Sequence, residues 1–209
     1  STTSGGTVRI LFPGNGSHYQ TGSTATGAIK LVLPVGMTNG MLTIKGIVYE
    51  YSTNQSFEFC VGGYNYPSGN TWQHNAFGYI TASPLNTRGI AIRFGFDGSK
   101  ACIYLGETNS SWSYPQVSIT ECTVGYSSVS ADTWDDGWDV SFATSFQNVT
   151  KTIAASDSRA TVQRNANLDA ASFSVGGTTV FSTGRALTNI TGISMTGGSI
   201  TSYGSVTAG

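Results

Sequence analysis

Charged residues occupy only 10% of the 209 positions and the formal net charge is -1. No Lys/Arg cluster occurs, so the chain lacks the electrostatic footprint of a nucleic-acid binder or of a protein drawn to an anionic membrane. With 39% hydrophobic and 11% aromatic residues it is too rich in core-forming side chains for disorder, and no apolar run is long enough to cross a bilayer as a helix.

Residues 1–25 open on Ser-Thr-Thr-Ser-Gly-Gly, with neither an initiator Met nor a charged-then-apolar leader, and read as part of a longer polypeptide. Val8 to Phe12 forms an entering strand, ended by Pro13 and Gly14, and the rest is linker. From Ala28, Ile29, Leu31 and Leu33 fall on one alternating parity before Pro34. Two longer alternating runs follow, Leu42, Ile44 and Val48, then Phe57, Phe59 and Val61, separated by the polar Ser52 to Gln55. This is the pattern of two half-buried strands joined by a turn, and we expect a central hairpin over 41–66. A long loop over 62–75 then carries aromatic and amide side chains.

Further strands are expected at Phe77 to Ile80, at Ile90 to Phe96 and at Ala101 to Leu105. Between the last two, Asp97-Gly98 has the composition of a two-residue hairpin turn that needs positive φ angles. Strands at Val117 to Thr120 and Val140 to Ala143 complete the series. Cys60, Cys102 and Cys122 fall inside these strands without metal-ligand spacing, and their odd number reads as buried free thiols, with one disulfide and a spare thiol as the alternative. Short strands separated by turns imply an all-β fold, an antiparallel jelly-roll-like β-sandwich over 26–147.

Composition changes after Asn148. Residues 150–209 hold no Trp and one Tyr, and their apolar residues are scattered among Gly, Ser and Thr. Phe173 and Val175 before Gly176-Gly177, with Val180 after, read as a small hairpin. So few apolar residues cannot stabilise a separate monomeric fold, whereas three copies pooling them would, which points to a fibrous β extension over 148–209 in a homotrimer.

Several stretches resemble a β-domain of bacteriophage tail fibres and prophage tail proteins: Ile44 through Phe57, Val61 through Tyr66, Ile92 through Gly98, Ile103 through Thr108 and Trp112 through Val117. Leu168 through Val180 and Ala186 through Ile190 are similar to a fibre-shaft repeat. The resemblance implies a homotrimeric fibre segment made in the bacterial host cytoplasm and carried in the virion. Its partners would be other copies, other tail proteins and a host surface glycan or receptor, with no nucleic acid and no membrane insertion. It supplies no catalytic residue and no cofactor, so a non-enzymatic attachment role is expected; the alternatives are a spacer or collar and a polysaccharide depolymerase.

Sugars stack their C–H faces on aromatic rings and pair their hydroxyls with amides. Tyr64, Asn65, Tyr66, Trp72, His74 and Asn75 in one loop, with Trp112 and Tyr114 in another, are therefore the candidate glycan-binding residues. Asp132, Asp135, Asp136 and Asp139 are candidate oxygen ligands for a hard cation, though their spacing is not that of an EF-hand, and a solvated turn before Trp138 is the competing reading. Glu50, Glu58, Glu107, Glu121 and Asp97 show no pairing of the kind glycan hydrolysis needs.

Overall fold

In the computed structural model the described residues are 7–19, 23–51, 55–73, 76–82, 89–126, 131–156, 158, 173–175 and 178–181. Apolar alternation with period two produces strands throughout. In chain order these are β1 (Thr7–Leu11), β2 (Ser17–Tyr19), β3 (Thr24–Thr26), β4 (Ala28–Val32), β5 (Gly40–Glu50), β6 (Gln55–Tyr66), β7 (Thr71–Trp72) and β8 (Phe77–Ala82). There follow β9 (Ile92–Phe96), β10 (Ala101–Leu105), β11 (Ser111–Ser113) and β12 (Pro115–Tyr126), one turn of helix α1 (Ala131–Trp134), then β13 (Asp139–Ala143) and β14 (Lys151–Ile153). The hairpin strands β15 (Phe173–Val175) and β16 (Thr178–Phe181) come last.

Two antiparallel sheets form a sandwich. In the first, β12, β5 and β6 lie side by side; β1 and β2 both pair with the free edge of β12, and β7 and β8 with the free edge of β6. The second runs β13-β4-β10-β9-β14, and β3 with β11 makes a separate ribbon. The β5–β6 hairpin expected from sequence is present, with Gly40 opposite Asn65 and Glu50 opposite Gln55. Gln55 thus belongs to the strand rather than to the turn.

The core lies between the sheets. Leu42, Ile44 and Val48 of β5, Phe57, Phe59 and Val61 of β6 and Val117, Ile119 and Val124 of β12 pack into one cluster with Ile29, Leu31, Ile92, Phe94, Ile103 and Leu105 of the second sheet. Each fully buried side chain of this size contributes roughly 1.5–3 kcal/mol. In β10 the opposite face is buried as well. Cys102 and Tyr104 pack with Ala28 under Phe146 and Val149, the Phe146 ring stands edge-on to Tyr104 at 5.2 Å, and Arg93 lies 4.4 Å over Phe146. The stretch 144–149 therefore roofs the outer side of the second sheet. No such roof appears over the outer face of the first sheet among the described residues.

Two expectations need correction. The hairpin turn between β9 and β10 sits one residue later than Asp97-Gly98: Asp97 N–H donates to Lys100 O, leaving Gly98 and Ser99 as the turn. Only Gly98 has a positive φ, 99°, while the Asp97 carboxylate accepts from the backbone N–H groups of Ser99 (3.0 Å) and Lys100 (2.7 Å). Asp97 is there to bind the turn with its side chain, not to adopt a left-handed backbone. Secondly, the stretch expected as a long loop over 62–75 is strand up to Tyr66 and resumes as β7 after a tight turn. One compact unit spans Ser1–Thr161; within it β1 and β2 pair with β12 of the first sheet and β14 with β9 of the second.

The second unit, Val162–Gly209, contains the hairpin expected around Gly176-Gly177, with Phe173 opposite Phe181. The rest of the expected fibrous extension lies outside the described residues. The cysteines are free thiols, Cys102 and Cys122 buried and Cys60 half-buried.

Candidate functional site

Because side chains alternate along a strand, the outer face of the first sheet is fixed once the inner face is known. It presents Met41, Thr43, Lys45, Ile47 and Tyr49 from β5, and Cys60, Tyr64 and Tyr66 from β6. The register lays these out in rows. Val8, Gly125, Met41 and Tyr64 are successive cross-strand partners in one row; Ile10, Thr123, Thr43, Gly62 and Phe77 form the next; Glu121, Lys45, Cys60 and Tyr79 the third. Side chains that a globular protein normally hides stand open here, Val8 at 67%, Ile10 at 61% and Met41 at 59% exposure.

The rows enclose a groove of about 640 Å³ lined by Val8, Met41, Thr43, Tyr64, Phe77 and Thr123, with Gly63 and Gly125 contributing backbone. That volume lies within the roughly 300–1,000 Å³ of small-ligand sites. Glycine makes the groove. A Cβ on Gly62 would come within 2.8 Å of the Phe77 ring carbon Cζ, so the bare backbone lets that ring lie across the strand and form a wall. A second hollow of about 350 Å³ follows on the same face, beside Lys45, Ile47, Glu58, Cys60, Tyr79 and Thr81. There Lys45 Nζ meets Glu121 Oε1 at 2.8 Å; the hydrogen bond to Glu121 raises the Lys45 pKa. A hydrogen bond with the Cys60 thiol likewise pushes the Tyr79 hydroxyl up.

The sequence-derived candidates divide between this face and the interior. Tyr64 and Tyr66 are on the outer face with ring centroids 6.0 Å apart, and Tyr64 Oη donates to Asn39 Oδ1 at 2.8 Å. Asn65, between them, points inward: it is fully buried, and its Oδ1 accepts from Gly40 N (2.6 Å) and Thr38 N (3.2 Å), tying the start of β5 to the end of β6. Trp72 and Trp112 are core residues, each 1% exposed. Trp72 packs on Phe94 at 5.1 Å and donates Nε1–H to Gly95 O at 3.0 Å; Trp112 donates to Gly27 O at 2.7 Å. Neither indole is presented to a ligand. Tyr114 is half-buried at a corner with φ 48° and stands edge-on to Tyr51. His74 and Asn75 lie outside the described residues.

Among the acidic candidates, Asp135, Asp136 and Asp139 are exposed, and the Asp132 side chain lies outside the described residues. Asp136 accepts from Asn15 Nδ2 and Gly137 N, both at 2.7 Å, and the Gly137 N–H with Asn15 holds its carboxyl below the usual value. Among the described residues no group of three or more His, Cys, Asp or Glu converges on a metal position. The sequence between Trp134 and Trp138 is instead a turn that drives both indoles inward, Trp138 Nε1–H bonding to Trp134 O at 2.8 Å. Glu50 and Glu107 are held in local contacts: Glu50 is buried and accepts from Ser113 N at 2.9 Å, and Glu107 takes both its oxygens to Arg93.

Val8, Met41, Thr43, Phe77 and Thr123 were not singled out from sequence. A signal was present in β8, where Phe77 and Tyr79 carry large rings on the parity opposite to the buried Ile80; a strand with one buried face needs only one apolar parity.

No protein-family model, curated protein or solved structure matches this chain.

Proposed function

We propose that this chain is a segment of a bacteriophage tail fibre that attaches the virion to the host surface by non-covalent glycan binding, and that the groove on the outer face of the first sheet is the contact. The observation that carries the reading is the groove itself, with the rings of Tyr64 and Phe77 and the hydroxyls of Thr43 and Thr123 turned to one open hollow. Rings offer a surface for sugar C–H faces, and hydroxyls donate and accept with sugar hydroxyls. Each contact is weak; a homotrimeric fibre with several copies per particle would raise the effective concentration enough for firm attachment. Labelled chain on an array of bacterial surface glycans tests this. We expect discrete binding that disappears in the Tyr64→Ala/Phe77→Ala double variant; binding that survives the double variant would relocate the site.

A spacer or collar is the second reading, favoured by Val8, Ile10 and Phe12, which stand exposed on and just after edge strand β1. Apolar patches of this kind mark protein contacts as well as ligand grooves. Sedimentation of the chain with Ile10→Lys decides between them: dissociation of an oligomer with glycan binding retained would assign that edge to packing between copies.

A further inference from the structure

The chemistry of the groove lining narrows the ligand, on the reading that this is a glycan site. Val8, Met41 and Phe77 present carbon; Thr43 and Thr123 supply hydroxyls, while that of Tyr64 is bonded to Asn39; among the described residues no carboxylate, ammonium, guanidinium or imidazole lines it. The nearest charged row has Lys45 and Glu121 paired with each other at 2.8 Å, so their opposite charges largely offset there. Thr43 and Thr123 are direct cross-strand partners, giving two hydroxyls side by side on the floor between apolar walls. A sugar carboxylate settled here would lose water and gain no cation from the described residues. A sugar with a hydroxyl on every carbon would turn some of them toward Val8 and Met41, where they gain no protein partner and leave that apolar surface wet. A methyl group satisfies that wall.

We infer that the groove binds a neutral saccharide residue carrying a methyl group, as a 6-deoxy or N-acetyl substituent, its remaining hydroxyls meeting Thr43 and Thr123. A matched series isolates the effect, because 6-deoxygalactose, galactose and galacturonate differ only at the sixth carbon, as methyl, hydroxymethyl and carboxylate; the corresponding manno series and the N-acetylhexosamines extend it. Binding is measured by NMR titration of the full chain. The methyl-bearing sugars of at least one series should bind about tenfold more tightly than the parent hexose, the scale of discrimination by one carbon group in an apolar pocket. The uronates should not bind. Thr43→Trp, which fills the groove from an outward strand position, should abolish binding while leaving the circular dichroism unchanged.

Uronate or parent hexose binding as tightly as the deoxy sugar, or binding that persists in Thr43→Trp, overturns the inference and leaves attachment to some other glycan standing. No binding in these series, with a positive glycan array, has the same meaning. No binding in the titrations or on the array removes the glycan reading and the inference together.

Discussion

Trp72, Trp112 and Asn65 are the side chains whose residue type invites a binding role and whose position denies it. Each is anchored to backbone inside the sandwich, with Trp112 Nε1–H on Gly27 O and Asn65 Oδ1 on two amides. Trp112→Ala should therefore cost about 3–5 kcal/mol in urea denaturation, whereas Tyr66→Ala, at an exposed position, should stay within about 0.5 kcal/mol. The thiols divide in the same way. Burial pushes Cys122 up to about 12 and raises Cys102, so an aromatic disulfide reagent should label half-exposed Cys60 in the native protein and all three thiols only after unfolding. An acid whose folded value is raised stabilises the fold below its unfolded value, near pH 8.5 for a thiol, and that stability is lost as pH climbs toward the folded value. Cys122→Val should accordingly flatten the loss of stability between about pH 8.5 and 12.

The β9–β10 turn shows how far an element can be read from its composition. Asp-Gly marked a turn correctly because glycine accepts a positive φ, yet the register depended on whether Asp97 would use its backbone or its carboxylate. Burial alone would raise the Asp97 carboxyl; the N–H groups of Lys100 and Ser99 and the Lys30 ammonium outweigh it and hold it low. A carboxylate depressed in the folded state contributes stability above its unfolded value, near pH 3.9, that is lost as pH falls through the folded one. Asp97→Asn should thus be less stable than the parent at pH 7, with the difference shrinking as the pH falls through the depressed carboxyl value, as followed by thermal melts across pH. The outer face of the first sheet is a second case at this scale. Alternation in β5 and β6 showed that such a face exists, and nothing local to either strand says what covers it.

At the scale of the molecule, the sandwich depends on segments that composition assigned to its flanks. Thr7 to Leu11 pair with Leu11's partner Cys122 onward to Tyr126, and Lys151 to Ile153 pair with β9. A fragment restricted to 26–147 would leave β12 and β9 with bare edges and expose core residues beneath them. It should aggregate or lose its cooperative thermal transition, while residues 1–161 should melt in one transition by circular dichroism. Strand content and the inward residues of β5 and β6 were legible from the chain alone, because a period of two is a property of neighbouring residues. Which tryptophans are buried, which turn residue carries the positive φ and which sheet face stays open were settled by tertiary structure. The stretch 144–149 folds over the second sheet and, among the described residues, nothing covers the first, and burial is set by what arrives from distant sequence.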